Sequence, residues 1–169
     1  MPHHRDATTG SHGRFQGFAR AVSGSMFIIT ATAGDRRDGC LIGFATQASI
    51  HPPRFLVCLS VKNATFRTAL EATHLGVHLV PDEQFQLAEL FGGETGDDVD
   101  KFERCEWEVG PGGVPLLPEC PTRCSGRILE RHSLGDHVGF LLEPIAVWAA
   151  NEESLDIKNA AQIDPGHEP

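Results

Sequence analysis

The sequence is poor in basic side chains. It has 14 lysines and arginines against 23 aspartates and glutamates, which gives a formal net charge of −9 at pH 7. Neutralising the phosphates of a nucleic acid, or an anionic lipid surface, needs a cationic footprint. The charge balance therefore excludes both as expected partners, although a local basic cluster can still hold one small anion.

Long apolar runs are also missing. No stretch reaches the roughly 20 apolar residues that a membrane-spanning helix needs. The start of the chain, MPHHRDATTGSHG, is polar and lacks the apolar core of a signal peptide, so we expect a cytoplasmic protein with no membrane partner. The five cysteines are odd in number, and in a reducing compartment they do not predict a disulfide framework.

Several common catalytic and metal-binding patterns are absent as well. There is no P-loop, no HExxH and no GxSxG, and no nucleophile stands beside a base of its own. Cys120 and Cys124 form a C-x3-C pair, but no second pair accompanies them, so we expect no metal site. The stretches FGGETGDD and GPGG do not lie between a strand and a helix, as a dinucleotide fingerprint requires.

The sequence does contain many short apolar runs separated by turn residues. Its 18 glycines and 11 prolines favour short strands over a helical bundle. The run RFLVCLSV is nearly all apolar and is predicted to be buried on both faces. Strands are predicted at 25–34, 40–50, 54–61, 75–80, 105–110, 122–131 and 138–150, and short helices at 15–22, 62–73 and 81–93. Strand-turn-strand units dominate, which predicts a mainly β protein, an antiparallel barrel with helices at its edges.

The domain boundaries follow from length and composition. The 169 residues are the length of one ordinary domain, and there is no internal repeat and no long linker. We predict a mobile arm at residues 1–13, one domain at residues 14–150 and a polar tail at residues 151–169.

The stretch SVKNATFR joins a predicted strand to a predicted helix. A helix N-terminus carries about half a positive elementary charge and unpaired N–H groups, which together attract anions. The polar and basic side chains around it form a candidate phosphate site, and they are Ser60, Lys62, Asn63, Thr65 and Arg67. The same stretch fits a capped helix with solvated charges equally well.

The stretch GFATQAS is the second candidate. Gly43, inside a predicted strand, indicates a bulge or a close approach of the backbone to another group. The polar residues Thr46, Gln47 and Ser49 follow it, and this strand could lie against a planar ligand. An ordinary strand with a bulge is the alternative.

His137 is the third candidate. It stands directly after Gly135 and Asp136, at the start of a predicted apolar strand, where an ionisable imidazole is not expected unless it has a specific role. Asp136 could fix its tautomer or raise its pKa. The histidine either closes the turn as a hydrogen-bonded structural residue or meets a ligand at the end of the strand.

In their order along the chain, these pieces resemble the flavin reductase-like family, whose fold is an FMN-binding split barrel. The similarity spans roughly residues 18–149. The matching landmarks are GCLIGFATQASIHPP, KNATFRTAL, VHLV, DEQFQLAELF, DKF at residues 100–102, WEVG with GVPLL, and GDH.

The resemblance implies a function and a site. Members are homodimers that bind FMN, or in some cases FAD, near the subunit interface and reduce it with NADH or NADPH, often to supply a monooxygenase. The implied flavin contacts are Phe44, Ala45, Thr46, Gln47 and Ser49, with Ser60, Lys62, Asn63, Thr65 and Arg67 near the phosphate. The histidine of the GDH landmark is His137, which lies by the flavin and the nicotinamide in relatives. No side-chain acid or base is required for the hydride transfer.

The chain departs from the family pattern in two respects. Many relatives carry a Ser-Ser pair where this chain has Gly43 and Phe44, so backbone N–H groups or another residue must replace the hydroxyl contacts. The chain also has no tyrosine, a common stacking residue, and Phe44, Phe102 or Trp107 is the expected substitute.

Two other functions stay open. One is a flavoprotein oxidoreductase that keeps its flavin bound and acts on another small molecule. The other is a non-catalytic protein that binds a flavin or a different cofactor, such as a deazaflavin or haem.

Overall fold

The computed structural model describes residues 7–22, 24–150, 153–164 and 166. Its main element is one seven-stranded antiparallel sheet, with the strands in the order β2-β1-β5-β8-β9-β4-β3. These strands are β1 (Phe27–Ala33), β2 (Arg36–Ile42), β3 (Ala45–Ser49), β4 (Arg54–Ser60), β5 (His74–Leu79), β8 (Arg123–Ser133) and β9 (His137–Trp148). Two short strands, β6 (Glu108–Val109) and β7 (Pro115–Leu116), pair with each other.

The described helices lie at the edges of this sheet. They are α1 (Ala7–Val22), α2 (Ala64–Glu71), α3 (Phe85–Gly93) and α4 (Ile157–Ala160). The mainly β, antiparallel fold class with short peripheral helices is therefore confirmed. Within the described residues, no helix combines the length and the apolar character needed to cross a membrane.

The sheet curls until its two edges meet. Strands β2 and β3 lie at opposite edges, yet only Gly43 and Phe44 separate them in the chain. Three Cα–Cα steps limit the distance between Ile42 and Ala45 to about 11 Å. Seven flat strands about 4.8 Å apart would place the edges about 29 Å from each other. Only a sheet rolled into a split barrel satisfies both conditions.

The predicted single strand at 40–50 was wrong for this reason. The chain leaves one edge of the sheet at Ile42 and enters the other at Ala45. The Phe44 carbonyl, in the break, accepts a hydrogen bond from the Cys58 amide at 2.9 Å. The irregularity that Gly43 predicted is thus the place where the chain crosses from one edge of the split barrel to the other.

The apolar interior has two parts. The barrel interior is built around fully buried residues from four strands, among them Ile29, Leu59, Leu75 and Phe140. A second cluster lies beneath α3 and contains Ile28, Phe91, Leu117 and Leu155. Ile28 and Ile29 are neighbours on β1, so this strand is buried on both faces. Burial of each such side chain stabilises the fold by about 1.5–3 kcal/mol.

Both ends of the predicted domain carry additional structure. Residues 1–6 of the predicted arm lie outside the described residues, and residues 7–13 belong to α1. In the predicted tail, Leu155 exchanges backbone hydrogen bonds of 2.8 Å with Met26 and Val80 and is 1% exposed. Part of the tail therefore packs as an extension of the second cluster.

Candidate functional site

A cavity of about 370 Å³, here called the central cavity, lies where four elements converge. The end of β2, the junction of β4 with α2, the end of α3 and the start of β9 contribute its walls. The apolar part includes Leu41, Phe44 and Phe91, and the polar part includes Ser60, Asn63, Glu94, Thr95, Asp136 and His137. It therefore joins an apolar floor to a few polar groups, the usual make-up of a small-molecule site.

The pairing of β4 with β9 brings two candidates together. Ser60 and His137 are opposite each other at the ends of these strands. The Val61 amide then donates to the Asp136 carbonyl at 3.0 Å, which ties the two loops together just beyond the sheet. Ser60 also accepts from the Lys62 amide at 3.3 Å, so the hydroxyl shapes the turn into α2.

Helix α2 begins at the cavity wall. Asn63 is its N-cap, and the Asn63 side-chain oxygen accepts from the Thr65 amide at 3.0 Å. The Asn63 carbonyl accepts from the Phe66 amide at 3.1 Å. In the described part of the chain the Ala64 amide has no such partner, and Ala64 lines the cavity. One donor at the positive end of the helix is thus left for a ligand.

His137 is held in place from two sides. Its Nδ1 lies 2.8 Å from Asp136 Oδ1, and its ring centre lies 5.1 Å from that of Phe44. The hydrogen bond from His137, and its charge when protonated, lower the pKa of Asp136. Asp136 therefore accepts as a carboxylate, which assigns the proton to Nδ1. The side chain remains 27% exposed, so the imidazole is oriented and still accessible to a ligand.

One face of β4 is less buried than the sequence predicted. The strand was predicted to be buried on both faces, and Val57 and Leu59 are fully buried. The alternate residues Leu56, Cys58 and Ser60 line cavities instead. Partial burial raises the pKa of Cys58, so its thiol stays protonated at neutral pH. Sequence reasoning missed Cys58, although strand alternation from Ser60 gives the signal.

A second space, here called the outer groove, lies between α1 and the barrel. It has a volume of about 440 Å³. Its walls are Phe15, Phe18, Ala19 and Val22 of α1 on one side and Phe44, Ala45, Thr46, Leu56 and Cys58 on the other. Gly43, Phe44 and Cys58 line both spaces, so the outer groove adjoins the central cavity.

A third space, here called the acidic cavity, has a volume of about 400 Å³ and meets the central cavity at Ala64. It is lined by four basic and five acidic side chains, namely Arg36, Arg37, Arg67, Lys101, Asp35, Asp38, Asp97, Asp98 and Asp100. Arg67 forms an ion pair with Asp97, which raises the pKa of Arg67.

The candidates from the sequence are thus divided among several places. Phe44, Ser60, Asn63 and His137 line the central cavity, and Ala45 and Thr46 line the outer groove. Gln47 and Ser49 lie further along the edge strand β3, where the Gln47 amide donates to the Ser49 carbonyl at 3.3 Å.

The other candidates lie around α2 or beside it. Lys62 is exposed before the helix, and Thr65 is buried within it. Arg67 and Phe102 line the acidic cavity. Phe102 is 5% exposed, and its ring packs against those of Phe91 and Trp107 at 5.7 and 5.8 Å.

Sequence reasoning missed the wall formed after α3. Glu94 and Thr95 follow the end of α3 and line the same cavity as Ser60 and Asn63. Met26 and Ile163 close the apolar end, although they are far apart in sequence. No local pattern marks these residues, because only tertiary packing brings segments that are distant in sequence to the site.

Comparison with known proteins agrees with this architecture. The family model described as "Flavin reductase like domain" matches residues 19–160. The FMN reductase (NADH) RutF of Klebsiella pneumoniae subsp. pneumoniae is 30% identical over 126 residues, which are 75% of this chain and 76% of the relative. The 4-hydroxyphenylacetate 3-monooxygenase reductase component of Pseudomonas aeruginosa is 27% identical over 135 residues, covering 77% of this chain and 79% of the relative.

A solved structure gives the same result. The FMN-binding protein from Thermus thermophilus, crystallised with bound p-hydroxybenzaldehyde, matches with a TM-score of 0.75 at 28% identity. The match covers 89% of this chain and 82% of that protein. Since the family model covers most of the chain, and sequence and structure agree, this protein belongs to the flavin reductase-like domain family.

Proposed function

We propose that this chain is a flavin reductase that uses NADH or NADPH to reduce FMN. The observation that carries the proposal is the convergence of Ser60, Asn63 and His137 on one cavity, at the N-terminus of α2. The relatives named as FMN reductases use NADH, so NADH is the expected reductant.

The residues of the central cavity fit FMN. Its volume of about 370 Å³ lies within the range of small-molecule sites. Leu41, Phe44 and Phe91 offer an apolar surface to a planar ring. The Ala64 amide and the dipole of α2 offer a place for a phosphate. Ser60, Asn63 and Ala64 line the central cavity, whereas Arg67 lines the acidic cavity. We therefore assign the phosphate to the Ser60–Ala64 stretch, with Lys62, which lies within it, as the cation.

FMN, when bound, supplies the ring that accepts a hydride from the nicotinamide. The chain contributes position and exclusion of water. Asp136 holds the Nδ1 proton of His137, and Phe44 supports the imidazole ring, so His137 is presented to the nicotinamide in one orientation. The thiol of Cys58 adds an apolar, unreactive wall because its pKa is raised.

The assembly and the role of the product are also proposed. The apolar side chains of α1 and the end of β9 are largely exposed, with Phe18 at 63% and Val147 at 64%, and we propose that a second copy covers them in a homodimer. A relative is the reductase component of a monooxygenase, so we propose that the reduced flavin supplies such a partner. A cytoplasmic location fits both roles.

A steady-state assay tests the reductase proposal. NADH oxidation is followed with FMN, FAD or riboflavin as the varied acceptor. A reductase gives turnover that saturates with FMN, whereas a protein that only stores flavin gives no turnover above the uncatalysed rate. Light scattering of the same sample tests the homodimer, and a monomer would refute it.

One observation favours a second function, in which flavin stays bound and a separate small molecule is reduced. The outer groove adjoins the central cavity at Gly43, Phe44 and Cys58 and offers room for an apolar substrate. Retention of yellow flavin through purification and dialysis would favour this function. Loss of flavin during dialysis, with turnover restored by added FMN, would favour the reductase.

A further inference from the structure

Lys101 is buried beside the central cavity but does not line it. The side chain is 4% exposed, and its ammonium donates to the Gly39 carbonyl at 2.9 Å and to the Phe91 carbonyl at 3.1 Å. The first carbonyl belongs to β2 and the second to the last turn of α3. A single cation therefore joins the two elements.

Both elements contribute to the walls of the central cavity. From Gly39 the chain continues to Leu41, Ile42, Gly43 and Phe44, which line one wall. From Phe91 it continues to Gly92, Glu94 and Thr95, which line the other. Lys101 lies behind both walls, and the two carbonyls that it binds lie within a few residues of the lining segments.

The contact between the walls is close and leaves little room for adjustment. A Cβ at position 39 would lie 2.5 Å from Phe91 Cε1, so only glycine allows the Phe91 ring to pack on β2. A Cβ at position 92 would lie 2.9 Å from Leu41 Cδ2. Interiors packed at this density transmit a displacement of one element to its neighbours.

Burying an ammonium group is costly unless it is compensated. Here the last turn of α3 supplies the Phe91 carbonyl at the negative end of the helix dipole, and the Phe91 ring centre lies 5.6 Å from the ammonium. Asp38 and Glu94 add negative charge nearby, although burial still lowers the pKa of Lys101. A methionine at this position would leave two buried carbonyls without their donor.

We propose that Lys101 is a positioning residue that sets the separation of the β2 and α3 walls and thereby the affinity of the cavity for FMN. The inference rests on the proposed function, because it assigns FMN to the central cavity. It gives a role to the lysine of the DKF landmark, which does not line the central cavity.

The test compares Lys101→Met with a matched control. Thr30→Val removes a buried hydroxyl that donates to the Pro115 carbonyl at 2.6 Å, and Thr30 lines none of the three cavities described above. Both variants lose a buried donor to a backbone carbonyl, so both should melt at a lower temperature. Dissociation constants for FMN are measured well below the melting transition of each variant, together with the KM for FMN and kcat.

The expected result is specific to Lys101. Its FMN dissociation constant and KM should rise at least tenfold with kcat nearly unchanged, since binding is lost equally in the ground and transition states. Thr30→Val should bind FMN within twofold of the wild type. Unchanged FMN affinity in Lys101→Met, or an equal loss in both variants, would overturn the inference.

Two further outcomes keep the test decisive. If Lys101→Met does not fold, Lys101→Gln is measured against the same control, because its side-chain amide retains one donor group. Its FMN affinity should lie between that of the wild type and that expected for Lys101→Met. Wild-type protein that binds no FMN would refute the proposed function. Wild-type protein and a Lys101 variant that bind FMN equally well would refute only the role of Lys101.

Discussion

Replacing Lys62 with alanine tests the phosphate assignment. Lys62 is exposed between Ser60 and the N-terminus of α2, and its charge contributes to the lowered pKa of Asp136 at the cavity. A hydrogen bond to a charged group is worth about 1.5–3 kcal/mol, and exposure to salt places this one at the lower end. Lys62→Ala should therefore raise the FMN dissociation constant by about tenfold.

Riboflavin provides the internal comparison, because it differs from FMN by the phosphate alone. The variant should bind riboflavin within twofold of the wild type, as measured by quenching of flavin fluorescence. The difference between wild type and variant for FMN should shrink in about 1 M salt, where charges are screened within about 3 Å.

Arg67→Ala is the matched control for the loss of a cation. Arg67 follows Lys62 by five residues, but its guanidinium is paired with Asp97 on the side of the acidic cavity. Its removal should change FMN binding less than threefold. An equal loss of FMN and riboflavin in Lys62→Ala, or a larger effect from Arg67→Ala, would refute the assignment.

Three further variants test the catalytic and structural roles. His137→Ala should lower NADH-dependent kcat by about tenfold or more while FMN binding stays within twofold. The control is His132→Ala: His132 pairs with Glu130 on the same hairpin, and its loss should leave both kcat and FMN binding unchanged. An unaltered rate in His137→Ala would remove this histidine from the mechanism. Asn63→Ala should lower the free energy of unfolding in urea by about 1 kcal/mol through loss of the helix cap, with Asn63→Asp close to wild type. Burial lowers the pKa of His78 to about 4, so the unfolded chain takes up a proton near pH 6.5 that the folded protein does not. Stability should fall by about 3 kcal/mol as the pH drops from 6.5 to 4, and His78→Gln should lack that part of the dependence.

Most of the strands could be predicted from the sequence, because apolar runs bounded by glycine and proline are a local signal. His78, inside the strand predicted at 75–80, is fully buried and has a structural role. Its Nδ1 donates to the Ile28 carbonyl at 3.0 Å, and its Nε2 accepts from the Leu117 amide at 3.1 Å. Both partners of the buried imidazole are backbone groups, which leaves no bond for a ligand.

The site was only partly predictable. Ser60 and His137 each stand at the end of a predicted strand, and their meeting follows once β4 pairs with β9. Gly43 marked an irregularity, but local pattern could not show that one strand ends there and another begins, because this depends on how the two edges of the sheet approach each other. The partner of Arg67 and the burial of Phe102 likewise depend on tertiary packing, which propensity and spacing do not encode.

The most direct test of the central claim is an anaerobic absorbance titration. Purified protein is titrated with FMN until the flavin spectrum shows saturation, and NADH is then added. The account predicts saturable binding with one FMN per chain, followed by bleaching of the flavin band much faster than in a protein-free control. A flavin spectrum that never saturates, or bound flavin that NADH bleaches no faster than free flavin, would contradict it.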